Sequence, residues 1–246
     1  MAPKIREWIS ALVLEDADLE LAARGIAFGA FYGAGQTCIS VERVYVAASV
    51  YEPFLRRLVR EAGGLRVGSA GGIDVGPMTL ESQIEKVEAQ LADAEARGAR
   101  ILCGGHRADP ASNIFLPTVV ADVPPDARIL VEETFGPVVA VVPVEDEDEA
   151  VARVNRSPLA LFASVWSRDR SRGKRVAARL RVGGVSVNDV LSHFSVPGFP
   201  MGGVGDSGWS RMRGDEGLRT FSRARVLLER GGRKRDWWWF PYGAST

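Results

Sequence analysis

Cysteine, histidine and lysine are scarce in this 246-residue sequence, which has two Cys, two His and four Lys against 27 Arg. Two cysteines, Cys38 and Cys103, cannot build a disulfide scaffold, so a reducing cytoplasm is the expected setting. Neither His106 nor His193 has a second His, Cys or acid at metal-ligand spacing, so no zinc motif is expected. No apolar run approaches the ~18–20 residues of a membrane span. The opening MAPKIREWIS lacks the apolar stretch of a signal peptide. Neither sign of charge is in excess: 31 basic and 31 acidic residues cancel, which removes the global electrostatic reason to expect nucleic acid as a partner.

What is present suits a folded enzyme-sized chain. Hydrophobic residues make up 46% and charged residues 25%, an ordinary globular balance. Helical and strand-like stretches alternate, which predicts an α/β architecture: an open twisted sheet with flanking helices. Asp18 can cap a helix running to about Tyr32, stopped by Gly33-Ala34-Gly35. Strands are expected at 42–47, 114–121, 137–144, 160–167 and 184–188, with ARILCGG a buried strand. Helices are expected at 50–62, from Thr79 to Gly98, at 147–155 and at 169–181. Residues 190–214 read as a long Gly- and Ser-rich loop, a common place for function.

Charge is locally uneven. Residues 122–149 hold nine acids and one Arg, and residues 168–181 hold seven bases and one acid. Solvated faces and helix-end charges account for such runs. The glycines of Gly203-Val204-Gly205-Asp206-Ser207-Gly208 spell G-x-G-x-x-G. A Pro-Gly-Phe-Pro loop rather than a strand precedes them, and Gly214 soon follows, which argues against a dinucleotide turn. Cys103, on an apolar stretch, reads as core. His193 reads as an exposed loop residue.

Cys38 lies in GAGQTCIS, at a tight glycine turn between a helix and a strand. Taken alone it is either a small buried hydrophobe or a nucleophile with backbone N–H groups nearby. Its surroundings add to this. AGQTC resembles the nucleophile signature of the NAD(P)-dependent aldehyde dehydrogenases. ALVLEDADLELAARGIAFG resembles the segment that leads into that cysteine. EETFGPVVAVVPVEDEDEAVARVN resembles the family's E-E-x-F-G-P segment with the strand and helix after it. PMGGVGDSGWSRMRGDEGLRTFS resembles its C-terminal glycine-rich segment. The match runs in order from Ala11 to Leu228.

The resemblance implies the catalytic-domain fold of that family. It implies that Cys38 attacks an aldehyde carbonyl, that the thiohemiacetal passes hydride to NAD or NADP, and that water hydrolyses the resulting thioester. It assigns Glu133 to the nicotinamide ribose and Phe135 to a place beside the nicotinamide. Thr37 and Ile39 would line the substrate mouth. Asn188 and Met201 match positions around the tunnel, Met201 standing where the family usually has Phe. The sequence also departs from the pattern. The family's E-L-G-G-K base falls on Lys4, Glu7 is out of register, and the preceding dinucleotide-binding half has no counterpart. Ser210 replaces a glycine, and Leu159-Ala160 replaces an aromatic–glycine pair.

The expected organisation is a non-matching segment (1–10), a catalytic domain (11–228) and a basic, aromatic tail (229–246). The expected partners are a small aldehyde and either further copies of the chain or a separate N-terminal half. The tail, RGGRKRDWWWFPYG, is expected to pack against protein rather than membrane. Little dehydrogenase activity is expected of the chain alone. Three readings therefore stay open: an aldehyde dehydrogenase needing its cofactor half, a non-catalytic remnant, and a cofactor-free thiol esterase or acyltransferase.

Overall fold

The computed structural model describes residues 9–232 and 239–240. The strands are β1 (Ile9–Val13), β2 (Val41–Ala47), β3 (Arg100–Cys103), β4 (Thr118–Ala121), β5 (Val138–Val144), β6 (Leu159–Ala160), β7 (Phe162–Trp166), β8 (Gly184–Val187) and β9 (Val204–Gly205). Seven form one sheet in the order β3-β4-β5-β2-β1-β7-β8, while β6 pairs with β9. Every neighbouring pair in the large sheet is parallel except β3–β4. Parallel neighbours need crossovers, and helices supply them: α1 (Leu19–Phe31), α2 (Tyr51–Gly63), α3 (Glu81–Ala96), α4 (Arg128–Val131), α5 (Glu147–Arg156), α6 (Arg170–Ala177) and α7 (Gly214–Thr220).

The central strands are buried on both faces, so they read as near-continuous apolar runs. β5 is VVAVVPV, with only Pro143 exposed. β2 is VERVYVA and is buried throughout, Glu42 and Arg43 included. Two adjacent charges in a buried strand contradict the pattern, and the site below accounts for them. α1 begins where Asp18 Oδ1 accepts the N–H groups of Glu20 and Leu21, both at 3.1 Å. Its small residues let the sheet approach: a Cβ at Gly25 would lie 2.3 Å from the Trp166 ring.

Several expectations need correction. ARILCGG is an antiparallel edge strand, not a buried one, and Cys103 is only half-buried. In the 114–121 stretch the regular strand begins only at Thr118, whose N–H donates to Pro137 O, while Phe115 makes an isolated antiparallel bridge to Arg107. The 160–167 strand is broken at Leu161, because Leu159–Ala160 turns away to pair with Val204–Gly205. That pairing also explains the glycine run of residues 203–208, which is half of a two-stranded ribbon. The 169–181 helix stops at Ala177.

The two charge runs meet in space. Arg172 contacts Glu15, Asp16 and Glu147, and Arg179 contacts Glu147 and Asp148. The acidic start of α5 and the basic α6 neutralise each other. At the other end of the chain, Phe221, Val226, Leu227 and Leu228 are almost fully exposed. These residues lie in the last part of the segment that precedes the 229–246 tail, most of which is outside the described residues. Arg230 does lie over the Trp239 ring at 4.2 Å. Lys4, Glu7, Trp237 and Trp238 lie outside the described residues.

Candidate active site

The topology brings the sequence motifs to one end of the sheet. Cys38 precedes β2, and Glu133 to Pro137 precede β5. β2 and β5 are parallel neighbours, so both segments emerge at the same amino-terminal edge, side by side. The Pro200–Gly203 segment reaches this edge too: a Cβ at Gly183, just before β8, would fall on Gly202 O. Three motifs separated by more than 160 residues of chain thus converge.

The Cys38 turn is built from its backbone. Helix α1 ends in a 3-10 turn, with Gly33, Ala34 and Gly35 all at positive φ. Thr37 O then accepts Ser40 N–H at 2.8 Å, which places Cys38 and Ile39 at the centre of a tight turn. Ser40 Oγ fixes the turn to α1 by donating to the carbonyls of Gly29 and Ala30. Cys38 is half-buried, as is Thr37, and Ile39 is buried in the core.

The turn and the Glu133–Pro137 loop touch through two glycines. A Cβ at Gly35 would stand 2.0 Å from Gly136 O, and Gly35 has φ +68°. Only glycine satisfies both conditions.

The loop itself has no regular structure, so its backbone groups need other partners. Side chains supply them. Arg43 Nη2 donates to the carbonyls of Ile129 and Glu132 at 3.2 and 3.1 Å. Gln90 donates to Glu133 O and Gln83 to Thr134 O. Glu42 accepts from Thr134 N–H at Oε2 (2.9 Å) and from Phe135 N–H at Oε1 (2.8 Å). On the other side, Gln36 Oε1 of the Cys38 turn accepts Thr79 N–H at 3.0 Å. Glu133 and Phe135 are both half-buried, and Phe135 sits at φ +53°.

Burial raises the Glu42 carboxyl to about 7, against the pull of Arg43 and the two N–H donors, with Glu133 adding a small push in the same direction as burial. Burial lowers Arg43 to about 10.

The remaining candidates fall elsewhere. Met201 is buried and pairs with Met212. It lines a cavity of about 400 Å³ with Phe162, His193 and Phe199. His193 is not an exposed loop residue. Its ring stacks on Phe162 at 3.7 Å, and burial lowers its pKa. Asn188 is at the carboxyl end of β8, away from the Cys38 turn. Its amide brackets the backbone of Ser167, accepting the N–H at 2.9 Å and donating to the carbonyl at 2.7 Å. Sequence reasoning did not single out Glu42, Arg43, Gln83 or Gln90. A carboxylate and a guanidinium inside an apolar strand were the available signal.

Comparison with known proteins agrees with this arrangement. The aldehyde dehydrogenase family profile matches residues 10–227. The chain belongs to the aldehyde dehydrogenase family. It is 42% identical over 235 residues to the 4,4'-diapolycopene aldehyde oxidase of a Methylomonas species, a match covering 95% of this chain and 44% of the relative. It is 36% identical to the NADP-dependent succinate-semialdehyde dehydrogenase of Escherichia coli, covering 88% of this chain and 45% of that enzyme. The chain thus spans less than half the length of these curated relatives.

Among solved structures, a putative aldehyde dehydrogenase from Anabaena variabilis superimposes with a TM-score of 0.89 at 33% identity, covering 96% of this chain and 51% of that one. The betaine aldehyde dehydrogenase of Staphylococcus aureus, solved with NAD+, gives 0.82 at 33% identity, covering 86% and 43%.

Proposed function

We propose that this aldehyde dehydrogenase chain carries the thiol half of aldehyde oxidation, with Cys38 as nucleophile and Glu133 and Phe135 facing the nicotinamide end of NAD or NADP. The observation that carries this reading is the contact of the Cys38 turn with the Glu133–Pro137 loop through Gly35 and Gly136. A nucleophile and a cofactor-binding carboxylate need to be held in fixed relation, because misplacement by about 1 Å costs on the order of 100-fold in rate.

In the reaction, Cys38 Sγ, as thiolate, forms a bond to the aldehyde carbon while the carbonyl π pair moves to oxygen. NAD or NADP, when bound, supplies the hydride acceptor that makes the thioester accessible. Water then breaks the carbon–sulfur bond, releasing a carboxylic acid and restoring Sγ. Thr37 flanks the thiol, and Met201 lines the cavity beside Phe162.

The residues fit only one end of the cofactor. Glu133 and Phe135 stand on a loop tied down at Glu133 O, Thr134 N–H, Thr134 O and Phe135 N–H, which suits a ribose contact. The β1–α1 turn, where a dinucleotide site of the βαβ type places glycines, reads Glu15-Asp16-Ala17-Asp18. Three carboxylates there repel a pyrophosphate. In this reading a separate N-terminal half or another copy supplies the contacts to the remainder of the nucleotide. The exposed apolar residues Phe221 and Val226–Leu228 support association. We assign residues 11–228 to the catalytic domain and 229–246 to a tail. A cytoplasmic location suits a cysteine nucleophile, which works as the reduced thiol. Among the described residues no helix is long and apolar enough to cross a membrane.

Calorimetric titration with NAD and NADP tests the reading, followed by assays for aldehyde-dependent NAD(P)H formation with and without an added N-terminal half. Saturable binding and turnover, abolished by Cys38→Ala, are expected of the assembled pair. Nucleotide-independent ester cleavage lost in Cys38→Ala would instead identify a thiol esterase, and silence under every pairing would identify a non-catalytic remnant.

A further inference from the structure

We propose that Glu42 is a positioning residue that clamps the cofactor-facing loop onto the nucleophile turn through its two hydrogen bonds from Thr134 and Phe135. The proposal rests on the reading of Glu133 and Phe135 given above.

Three observations carry it. The first is geometric. Glu42 lies four residues beyond Cys38, on the first turnless stretch of chain after the thiol, and is 2% exposed. Its two oxygens each take one of two consecutive backbone N–H groups, at 2.9 and 2.8 Å. Those two groups directly follow Glu133. One rigid strand therefore carries the thiol's anchor at its start and the loop's anchor one residue further in.

The second concerns Phe135. An aromatic residue at φ +53° is not in its preferred backbone region. Surroundings must impose such a conformation, and the bond to Glu42 Oε1 acts on that residue's own N–H. The third is Arg43, which from the neighbouring strand position grips the end of α4 that leads into the loop, by way of the carbonyls of Ile129 and Glu132. Successive strand residues point to opposite faces, so β2 holds the loop through Glu42 and the helix end before it through Arg43.

A carboxylate is required by the chemistry. Both loop groups are donors, so the residue opposite must accept twice. Ionised Glu does so; Gln accepts at one atom and presents an NH₂ to the other N–H. Protonated Glu also loses acceptor strength on one oxygen. Its charged neighbours are Arg43 on its own strand, which favours the ionised form, and Glu133 on the loop, which disfavours it. Burial sets the balance close to neutrality, so the clamp tightens as pH rises through about 7.

Residue-resolved amide exchange on the 246-residue chain tests this, with rates corrected for intrinsic base catalysis. From roughly pH 5.5 to 8.5, protection of Thr134 and Phe135 is expected to rise about tenfold, the worth of one charge-assisted hydrogen bond. Amides in the middle of β5 should show no such step. In Glu42→Gln the step disappears, and alkylation of Cys38 by iodoacetamide at fixed pH changes while that of Cys103 does not. A wild-type profile without a step at these two amides overturns the proposal, and this arm stands even where Glu42→Gln fails to fold. A step that persists in a folded Glu42→Gln overturns it equally. Nucleotide titration of the same samples separates the two ideas: a chain with the step but no NAD or NADP binding keeps Glu42 as the clamp and removes the cofactor assignment.

Discussion

Replacing Glu42 by Gln changes the pH dependence of stability in a direction that can be worked out beforehand. The carboxyl goes from an ordinary 4.5 in the unfolded chain to about 7 in the folded one, chiefly by burial. Between those values the folded chain holds the proton more tightly than the unfolded chain does. Glu42 therefore stabilises the fold fully below about pH 4.5, and this contribution is lost as pH rises through 7. The whole shift corresponds to about 3 kcal/mol, of which about 2 kcal/mol falls between pH 5 and 8. Gln does not titrate, so the variant lacks this slope. It has a fixed penalty instead: one loop N–H loses its acceptor, worth about 1–3 kcal/mol. The attraction of Arg43 acts only on the ionised carboxylate and is already contained in the value of about 7, so it adds no separate offset. The stability difference between variant and wild type should thus shift by about 2 kcal/mol in the variant's favour from pH 5 to pH 8. Urea unfolding followed by tryptophan fluorescence measures this, with Trp166 buried in β7 as one reporter. All other titrating groups are shared, so the difference between the two curves isolates Glu42. Parallel curves across pH 5–8 would refute the reasoning.

Further outcomes follow from individual contacts. Gly35→Ala combines a positive φ with a Cβ 2.0 Å from Gly136 O, and should cost about 3 kcal/mol or more; an unchanged melting temperature would refute the glycine contact. Asp18→Ala removes the cap from Glu20 and Leu21 N–H and should cost about 1 kcal/mol in chemical denaturation. Asp16 is pushed up by burial, yet the Asp169 N–H, the Ser167 hydroxyl and Arg172 outweigh this and hold it below its usual value. Its contribution is present above the ordinary carboxylate range and lost as pH falls through the lowered value, so Asp16→Asn should flatten the acid limb of a stability–pH curve. Burial raises the Cys103 thiol, so mass spectrometry should find iodoacetamide on Cys38 well before Cys103.

The α/β class, the end of α1 at its glycines and most central strands were legible because period, capping and buried apolar runs are local signals. The misreadings were non-local. ARILC has the composition of a core strand, and only its place at the sheet edge exposes it. The 160–167 run looks continuous, and only the partner at Val204–Gly205 reveals the break. His193 looks like loop, and only Phe162, 31 positions earlier in the chain, gives it a surface to stack on.

The site divides in the same way. Cys38, Glu133 and Phe135 were found because they stand in motifs, yet a motif names a residue without saying what holds it. The positions that do the holding are Glu42, Arg43, Gln83 and Gln90, and none forms a pattern with its sequence neighbours. Glu42, Arg43 and Gln90 are recognisable only as polar groups at buried positions, and Gln83 is half-buried. Gln90 is fully buried in the middle of an amphipathic helix, and Glu42 and Arg43 interrupt an apolar strand. Burying such groups carries a large penalty unless each finds a partner. Here their partners are backbone groups of one irregular loop and of the helix end that leads into it. A loop without regular hydrogen bonding has to borrow its acceptors and donors from the scaffold. Charges out of place in a buried strand are therefore what an internally supported catalytic loop leaves in a sequence. Glu42, which weakens the fold above neutral pH while gripping the residues that follow Glu133, is the position where stability and the geometry of the site pull in opposite directions.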